Sequence, residues 1–338
     1  MVKPKSVANA ANKPAAPVRQ AISTSQQAST LGSWSAPASL CAPDGACLVG
    51  ANAAVLPGNQ VLFYFYPTVT SPSSIALLLN IATGQLTDVT VPFTGASELD
   101  IFCSGISIMP NGQVLVTGGS NLTALTSHSG TVNTTIFDPV AGAWWAGSNM
   151  IYARWYPSTV ELADGTMLEV AGDDVSGGAV ATPESYNYTT NTWSALPASA
   201  NLPSTSLHIT AYPRLVLLPS GNVFMPAPDA MTYQFNPVAN TWYFVAATKF
   251  GFRFYAPHVL LNGLQRVLVA GGTSSEASGG QFSTNTAEVI DFSVAHPAWS
   301  YTGSMTYPRV NENLVLLQMA RCSPWAGGVV LRVTLFRC

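Results

Sequence analysis

Ile108-Met109-Pro110-Asn111-Gly112-Gln113-Val114-Leu115-Val116-Thr117-Gly118-Gly119 contains the whole signature of a tight β-hairpin. Asn-Gly supplies the positive φ needed at the tip, and the aliphatic run behind it reads as a strand buried on both faces. The pattern recurs. Upstream stands Val55-Leu56-Pro57-Gly58 before Val61-Leu62-Phe63, and downstream Glu161-Leu162-Ala163-Asp164-Gly165 before Met167-Leu168-Glu169-Val170-Ala171-Gly172. Further copies are Leu217-Leu218-Pro219-Ser220-Gly221 before Val223-Phe224-Met225, and Leu260-Leu261-Asn262-Gly263 before Val267-Leu268-Val269-Ala270-Gly271-Gly272. After most of them comes a second pair of strands closing on a tryptophan: Ile136-Phe137-Asp138-Pro139 to Trp144, Tyr186-Asn187-Tyr188 to Trp193, Tyr233-Gln234-Phe235-Asn236-Pro237 to Trp242, and Val289-Ile290-Asp291-Phe292 to Trp299. Gly58, Gly112, Gly165 and Gly221 recur at an interval of roughly fifty residues, and the step to Gly263 is shorter, so its loops are trimmed.

Four strands per repeat of this length make one propeller blade. The sequence therefore predicts an all-β, kelch-type β-propeller of about five blades plus the start of a sixth, over residues 33–317. An array of immunoglobulin-like sandwiches also offers short strands and regular turns, but its repeats run near a hundred residues and lack the repeated Gly-Gly strand end. Composition agrees with short strands and many turns: only 9% of residues are charged, against roughly 25% in an average soluble protein. The formal net charge of -3 and the lack of any basic run exclude an electrostatic footprint for nucleic acid or an acidic membrane. No apolar stretch is long enough to span a bilayer.

Residues 1–32, rich in Ala, Ser, Gln, Pro and Lys, read as a disordered leader or linker without the apolar core of a signal peptide. The other end departs from the repeat. A sixth copy starts at Tyr307-Pro308-Arg309 and reaches Leu314-Val315-Leu316-Leu317, but then continues Gln318-Met319-Ala320-Arg321-Cys322-Ser323-Pro324-Trp325-Ala326-Gly327-Gly328. Read from the third base of the Gln318 codon, the shifted frame permits Asp-Gly-Lys-Val-Leu-Ala-Val-Gly-Gly, the missing hairpin and strand. Residues 318–338 are thus expected to be an out-of-frame tail, and Cys322 and Cys338 to carry no chemistry. Fewer blades than a closed ring needs would leave bare strand edges and poor solubility.

The chemistry-bearing residues lie on the innermost strands. Cys103 stands as far before Gly112 as Tyr156 does before Gly165 and Tyr212 before Gly221. Equal offset in successive blades means equal height, so this thiol and this phenol project toward the same axial space, with Tyr212 a further candidate for that ring. Taken alone, Cys103 reads as a buried thiol and Tyr156 as a core aromatic.

Asp100-Ile101-Phe102-Cys103-Ser104-Gly105 and Arg154-Trp155-Tyr156-Pro157-Ser158, in adjacent blades, resemble the two signature segments of the copper radical oxidases, the glyoxal oxidase and galactose oxidase family. The likeness spans the propeller region. It implies that Cys103 and Tyr156 are joined by a thioether, that the modified Tyr156 binds copper and holds a radical, and that Trp155 either shields that radical or packs the blade. It implies one copper ion, a primary alcohol or aldehyde as substrate, O2 as electron acceptor with H2O2 as product, about seven blades, and an extracellular or periplasmic setting. The family completes its copper site with a second tyrosine, in a Tyr-His segment, and a pair of histidines. No Tyr-His pair exists in this chain, and His128, His208, His258 and His296 lack ligand spacing. The chain is therefore expected to be an incomplete, inactive relative of the oxidases, the alternative being a non-catalytic kelch module that binds a protein or glycan. Cys41 and Cys47 flank the turn Pro43-Asp44-Gly45, within disulfide reach in an oxidising compartment. Asn121, Asn133 and Asn187 each head an Asn-x-Thr triplet.

Overall fold

The computed structural model describes residues 40–41, 52–65, 73–90, 100–120, 129–203, 211–261, 263–274 and 283–316, and the backbone of 331–335. The segments 1–32 and 318–330 of the sequence reading lie outside them, as do His128, His208, Asn121 and Cys47. Cys41 is disulfide-bonded. No helix of the described residues is long and apolar enough to cross a membrane.

Five four-stranded antiparallel sheets follow one another along the chain, each with its strands in sequence order. The first holds β1 (Asn52–Leu56), β2 (Gln60–Tyr64), β3 (Ala76–Asn80) and β4 (Leu86–Asp88). The second holds β5 (Gly105–Ile108), β6 (Val114–Thr117), β7 (Thr134–Asp138) and β8 (Ala143–Ala146), and the third β9 (Ser158–Glu161), β10 (Met167–Val170), β11 (Glu184–Asn187) and β12 (Thr192–Ala195). The fourth runs through β13 (Arg214–Leu217), β14 (Val223–Ala227), β15 (Met231–Asn236) and β16 (Thr241–Ala247), and the fifth through β17 (His258–Leu260), β18 (Arg266–Ala270), β19 (Ala287–Asp291) and β20 (Ser300–Thr302). A sixth sheet pairs β21 (Glu312–Leu316) with β22 (Leu331–Leu335). The first strands of successive sheets lie side by side, from β1 through β21. They form the inner ring of a propeller, as the repeat predicts, and the fourth strands form its rim.

Local sequence explains the blades. At the hairpin tips Gly112, Gly165 and Gly221 take φ of 84°, 82° and 83°, a region open to glycine at little cost. The strands that follow, β6, β10 and β14, are buried along their whole length, because they have a neighbouring strand on each side and a neighbouring blade on each face. The rim strands β8, β12 and β20 are largely exposed and carry little apolar load.

Two recurrent contacts bind blade to blade, and a third braces a blade from within. The first explains the Gly-Gly strand ends: a Cβ on Gly118 would overlap the Arg154 carbonyl oxygen of the next blade, while the Gly119 N–H donates to that same oxygen at 3.1 Å. Gly272 repeats the bond to the Arg309 carbonyl at 2.8 Å. The second uses the tryptophans. Trp144 Nε1 donates to Val89 O at 2.6 Å, Trp193 Nε1 to Thr134 Oγ1 at 3.0 Å, Trp242 Nε1 to Ala200 O at 2.8 Å and Trp299 Nε1 to Thr232 Oγ1 at 3.1 Å. Each indole thus buries its ring in its own blade and satisfies its one donor on the blade before.

The third contact is a buried ion pair within a blade, between the segment leading into its first strand and a glutamate on its third strand. Arg154 and Glu184 meet at 2.8 Å, Arg253 and Glu288 at 2.7 Å, all essentially without solvent exposure. The spare donors are absorbed: Arg154 Nη1 bonds Ala171 O and Nη2 bonds Thr182 O, each at 2.6 Å. Glu184 in turn accepts from the N–H groups of Ile151 and Tyr152. A buried pair is tolerable only when its remaining hydrogen-bonding capacity is used in this way.

Candidate functional site

Just before each inner strand from β5 onward the chain makes the same unusual turn. Cys103, Tyr156, Tyr212, Tyr255 and Asn311 all have left-handed φ, between 49° and 61°. A non-glycine residue in that region costs on the order of 1 kcal/mol. The repetition of that cost in every described blade from the second onward marks the turn as a device for aiming a side chain. The turns are also wired to one another: Tyr156 N–H donates to Cys103 O at 2.8 Å, Tyr212 N–H to Tyr156 O at 2.9 Å, and Asn311 N–H to Tyr255 O at 3.2 Å. The structure thereby brings Cys103, Tyr156 and Tyr212 together on adjacent blades at one height.

The turn that carries Cys103 is held from below. Asp100 accepts from the Ser74 hydroxyl at 3.2 Å and from the Phe102 N–H at 2.9 Å, and the Ile101 N–H donates to Ser74 Oγ at 3.0 Å. Burial moves the Asp100 carboxyl up to about 6, against the lowering pull of those donors. Cys103 itself is buried.

Aromatic rings crowd the same place. Trp155 lies 4.1 Å from the Tyr156 ring at 45°, and Tyr156 meets Tyr212 edge-on at 4.8 Å. The Tyr212 hydroxyl donates to Ser104 O at 3.2 Å, and Tyr64 shares a 2.9 Å hydrogen bond with Ser104 Oγ. Burial first, and then the nearby Cys103, raise the pKa of both the Tyr64 and Tyr212 phenols, so both stay protonated.

Beneath this turn lies a carboxyl that the sequence reading did not single out. Glu169, on β10, is fully buried and accepts from Thr117 Oγ1 at 2.9 Å and Thr159 Oγ1 at 2.7 Å. Burial raises its pKa to about 7 against the lowering effect of Arg154 and the two hydroxyls. A signal was present in the sequence: the other hairpin copies place Phe63, Val116, Met225 and Val269 at the matching position. Tyr255 was missed because the hairpin at Gly263 is offset by one residue, with Leu264 also left-handed; the shared arginine two residues ahead, Arg154, Arg253 or Arg309, would have aligned it.

The two described histidines, His258 and His296, do not join the cluster. His258 Nε2 lies 3.0 Å from the Leu215 carbonyl and must donate to it. Burial and then Arg214 lower its pKa to about 4. His296 is exposed on the groove lined by Tyr243, Phe244 and Phe292. Among the described residues, no three of His, Cys, Asp and Glu are grouped so as to hold a metal ion.

Comparison with known proteins places this geometry in context. No protein-family model matches the chain. Two galactose oxidase sequences of Gibberella zeae are each 33% identical to it over 116 residues, which is 34% of this chain and 15% of theirs. The chain thus spans a small part of the length of the curated relatives it matches. A solved fungal alcohol oxidase of the AA5 family, described as catalytically diverse and complexed with copper, superposes with a TM-score of 0.62 at 19% identity, over 80% of this chain and 56% of that one. The propeller fold is shared with that enzyme. The likeness to copper radical oxidases, read first from the two motifs, is supported in sequence and in fold.

Proposed function

We propose that this chain, a relative of the copper radical oxidases, carries the cysteine-tyrosine half of an oxidase centre, with Cys103 and Tyr156 joined by a thioether and Trp155 packed on the tyrosine ring. The observation that carries this reading is the 2.8 Å hydrogen bond from Tyr156 N–H to Cys103 O, which ties the two left-handed turns of adjacent blades together. A sulfur attached to the ring donates electron density and spreads unpaired spin, which makes the phenol easier to oxidise. The substrate class that fits is a primary alcohol or aldehyde, oxidised by two electrons with O2 reduced to H2O2.

Copper is the metal such a centre takes, and Cu(II) needs a tetragonal set of N and O donors. The described residues do not fit it. They offer the Tyr156 phenol, but His258 has one ring nitrogen committed to a carbonyl and His296 is exposed on the rim. The disulfide at Cys41 supports an oxidising compartment, as a secreted kelch-type oxidase would require.

The test is the intact mass of the purified chain after exposure to a copper(II) salt and air. A deficit of two hydrogen atoms, lost in Cys103→Ser and in Tyr156→Phe, is expected, with little H2O2 from alcohols or aldehydes. A full-mass protein with no peroxide would favour a non-catalytic kelch module that binds a partner. The lack of an imidazole set among the described residues favours that second reading.

A further inference from the structure

One buried carboxyl, Glu169, has no counterpart in the other four-stranded blades. Four hairpin copies place an apolar residue there, and the fifth blade shows what the structure alone requires: Val269 faces Glu288 across the strands, and Glu288 alone pairs with Arg253. In the third blade Glu169 faces Glu184 across the strands, so two carboxyls share the single guanidinium of Arg154, which bonds to Glu184. The second carboxyl has no cation of its own. A sheet interior gains no stability from such a group, and a local rule broken in one blade of five points to function.

The position is as specific as the residue. Glu169 sits in the wall between the second and third blades, the two that carry Cys103 and Tyr156. Its oxygens are held by one threonine from each, Thr117 on β6 and Thr159 on β9. Gly105, two residues beyond Cys103, packs directly on it: a Cβ there would lie 2.8 Å from Glu169 Oε1. The charged and titratable groups around it are Arg154, which favours the carboxylate, Glu184, which opposes it, and the Tyr64 phenol, which feels both Glu169 and Cys103.

We propose that Glu169 is the proton acceptor of the Cys103–Tyr156 site, taking up the proton released by the thiol as its sulfur is bonded to the tyrosine ring. This rests on the oxidase reading above. Joining the residues breaks the Cys103 S–H bond and one ring C–H bond of Tyr156 and forms one C–S bond. Two electrons and two protons leave, and O2 accepts them as one H2O2. Cys103 is buried, so its proton needs an internal base, and the threonine hydroxyls, which donate and accept, connect that base to the interblade wall.

The experiment follows the appearance of the two-hydrogen mass deficit as a function of pH, in the full chain exposed to copper(II) and air. In the wild type the rate is expected to rise as Glu169 ionises, with a midpoint near pH 7, where burial places its pKa. Glu169→Gln, which keeps the shape, is expected to be about a hundredfold slower and to lose that pH step. Glu169→Val restores the residue type of the sister blades and leaves the two threonines, 3.2 Å apart, to bond each other. It is expected to melt no lower than the wild type and yet to form the bond as slowly as the glutamine variant. The infrared difference between the metal-free wild type and Glu169→Gln, in which the Glu312 carboxyl cancels, should show a protonated carboxyl band that disappears above pH 7. Variants that form the bond at the wild-type rate with the wild-type pH profile would overturn the role of Glu169 and leave the oxidase reading intact. A missing infrared band would overturn it as well. A wild type that never forms the bond would overturn both.

Discussion

Replacing Arg154 by methionine removes the cation from the most deeply buried ion pair next to the candidate site. The side chain is fully buried and makes hydrogen bonds to Glu184 Oε2 at 2.8 and 3.1 Å, to Ala171 O at 2.6 Å and to Thr182 O at 2.6 Å. Methionine fills much of the volume but leaves the Glu184 carboxylate with only the Ile151 and Tyr152 N–H groups. An exposed pair lost in this way would cost about 0–1 kcal/mol; an uncompensated buried carboxylate costs about 3–5 kcal/mol. Urea unfolding at neutral pH reads the difference as a lowered midpoint at unchanged slope. Arg253→Met, its internal twin, should cost a similar amount through Glu288. The twins separate at the site, because Arg154 lies two residues before Tyr156: only Arg154→Met should also reduce thioether yield. A loss below about 1 kcal/mol in both variants would refute the claim that these buried pairs anchor the segment entering each blade to that blade's third strand.

Gly118→Ala should destabilise far more than Gly112→Ala, as judged by melting temperature. The two glycines have similar positive φ, but a Cβ at 118 meets the Arg154 carbonyl whereas one at 112 meets nothing within 4 Å. Trp299→Phe should cost about 1–3 kcal/mol by urea titration, since it removes a buried donor from Thr232 Oγ1 and leaves a gap beside Phe224. Stability should fall as pH rises from about 4.5 through about 7, because Glu169 and Glu312 are both raised by burial to about 7 from an ordinary 4.5. Their contribution is complete while they are neutral and is lost as the folded carboxyls ionise. Glu169→Gln and Glu312→Gln should each flatten part of that slope, and a slope unchanged in the double variant would refute this assignment.

Much of the blade architecture could be read from one repeated hairpin, because its determinants are local. Positive φ at Gly112, Gly165 and Gly221 and the apolar runs behind them act within a few residues. Counting back from those glycines also gave the shared height of Cys103, Tyr156 and Tyr212, since a strand converts sequence offset into position along the axis. The count failed at Tyr255, where the hairpin shifts by one residue.

The environment of the site could not be read in that way. Glu169 appears in the sequence as one acid inside a strand. Only packing shows that Thr117 and Thr159 hold it, that Glu184 competes with it for Arg154, and that Gly105, two residues beyond Cys103, lies against it. Those partners are up to 52 residues away in the chain. The sequence by itself determined the repeat, its turns and the two motifs, whose causes are dihedral preference and the period-two alternation of strands. The tertiary structure alone decided which polar groups are buried together, because desolvation and pairing depend on neighbours that the chain brings in from other blades.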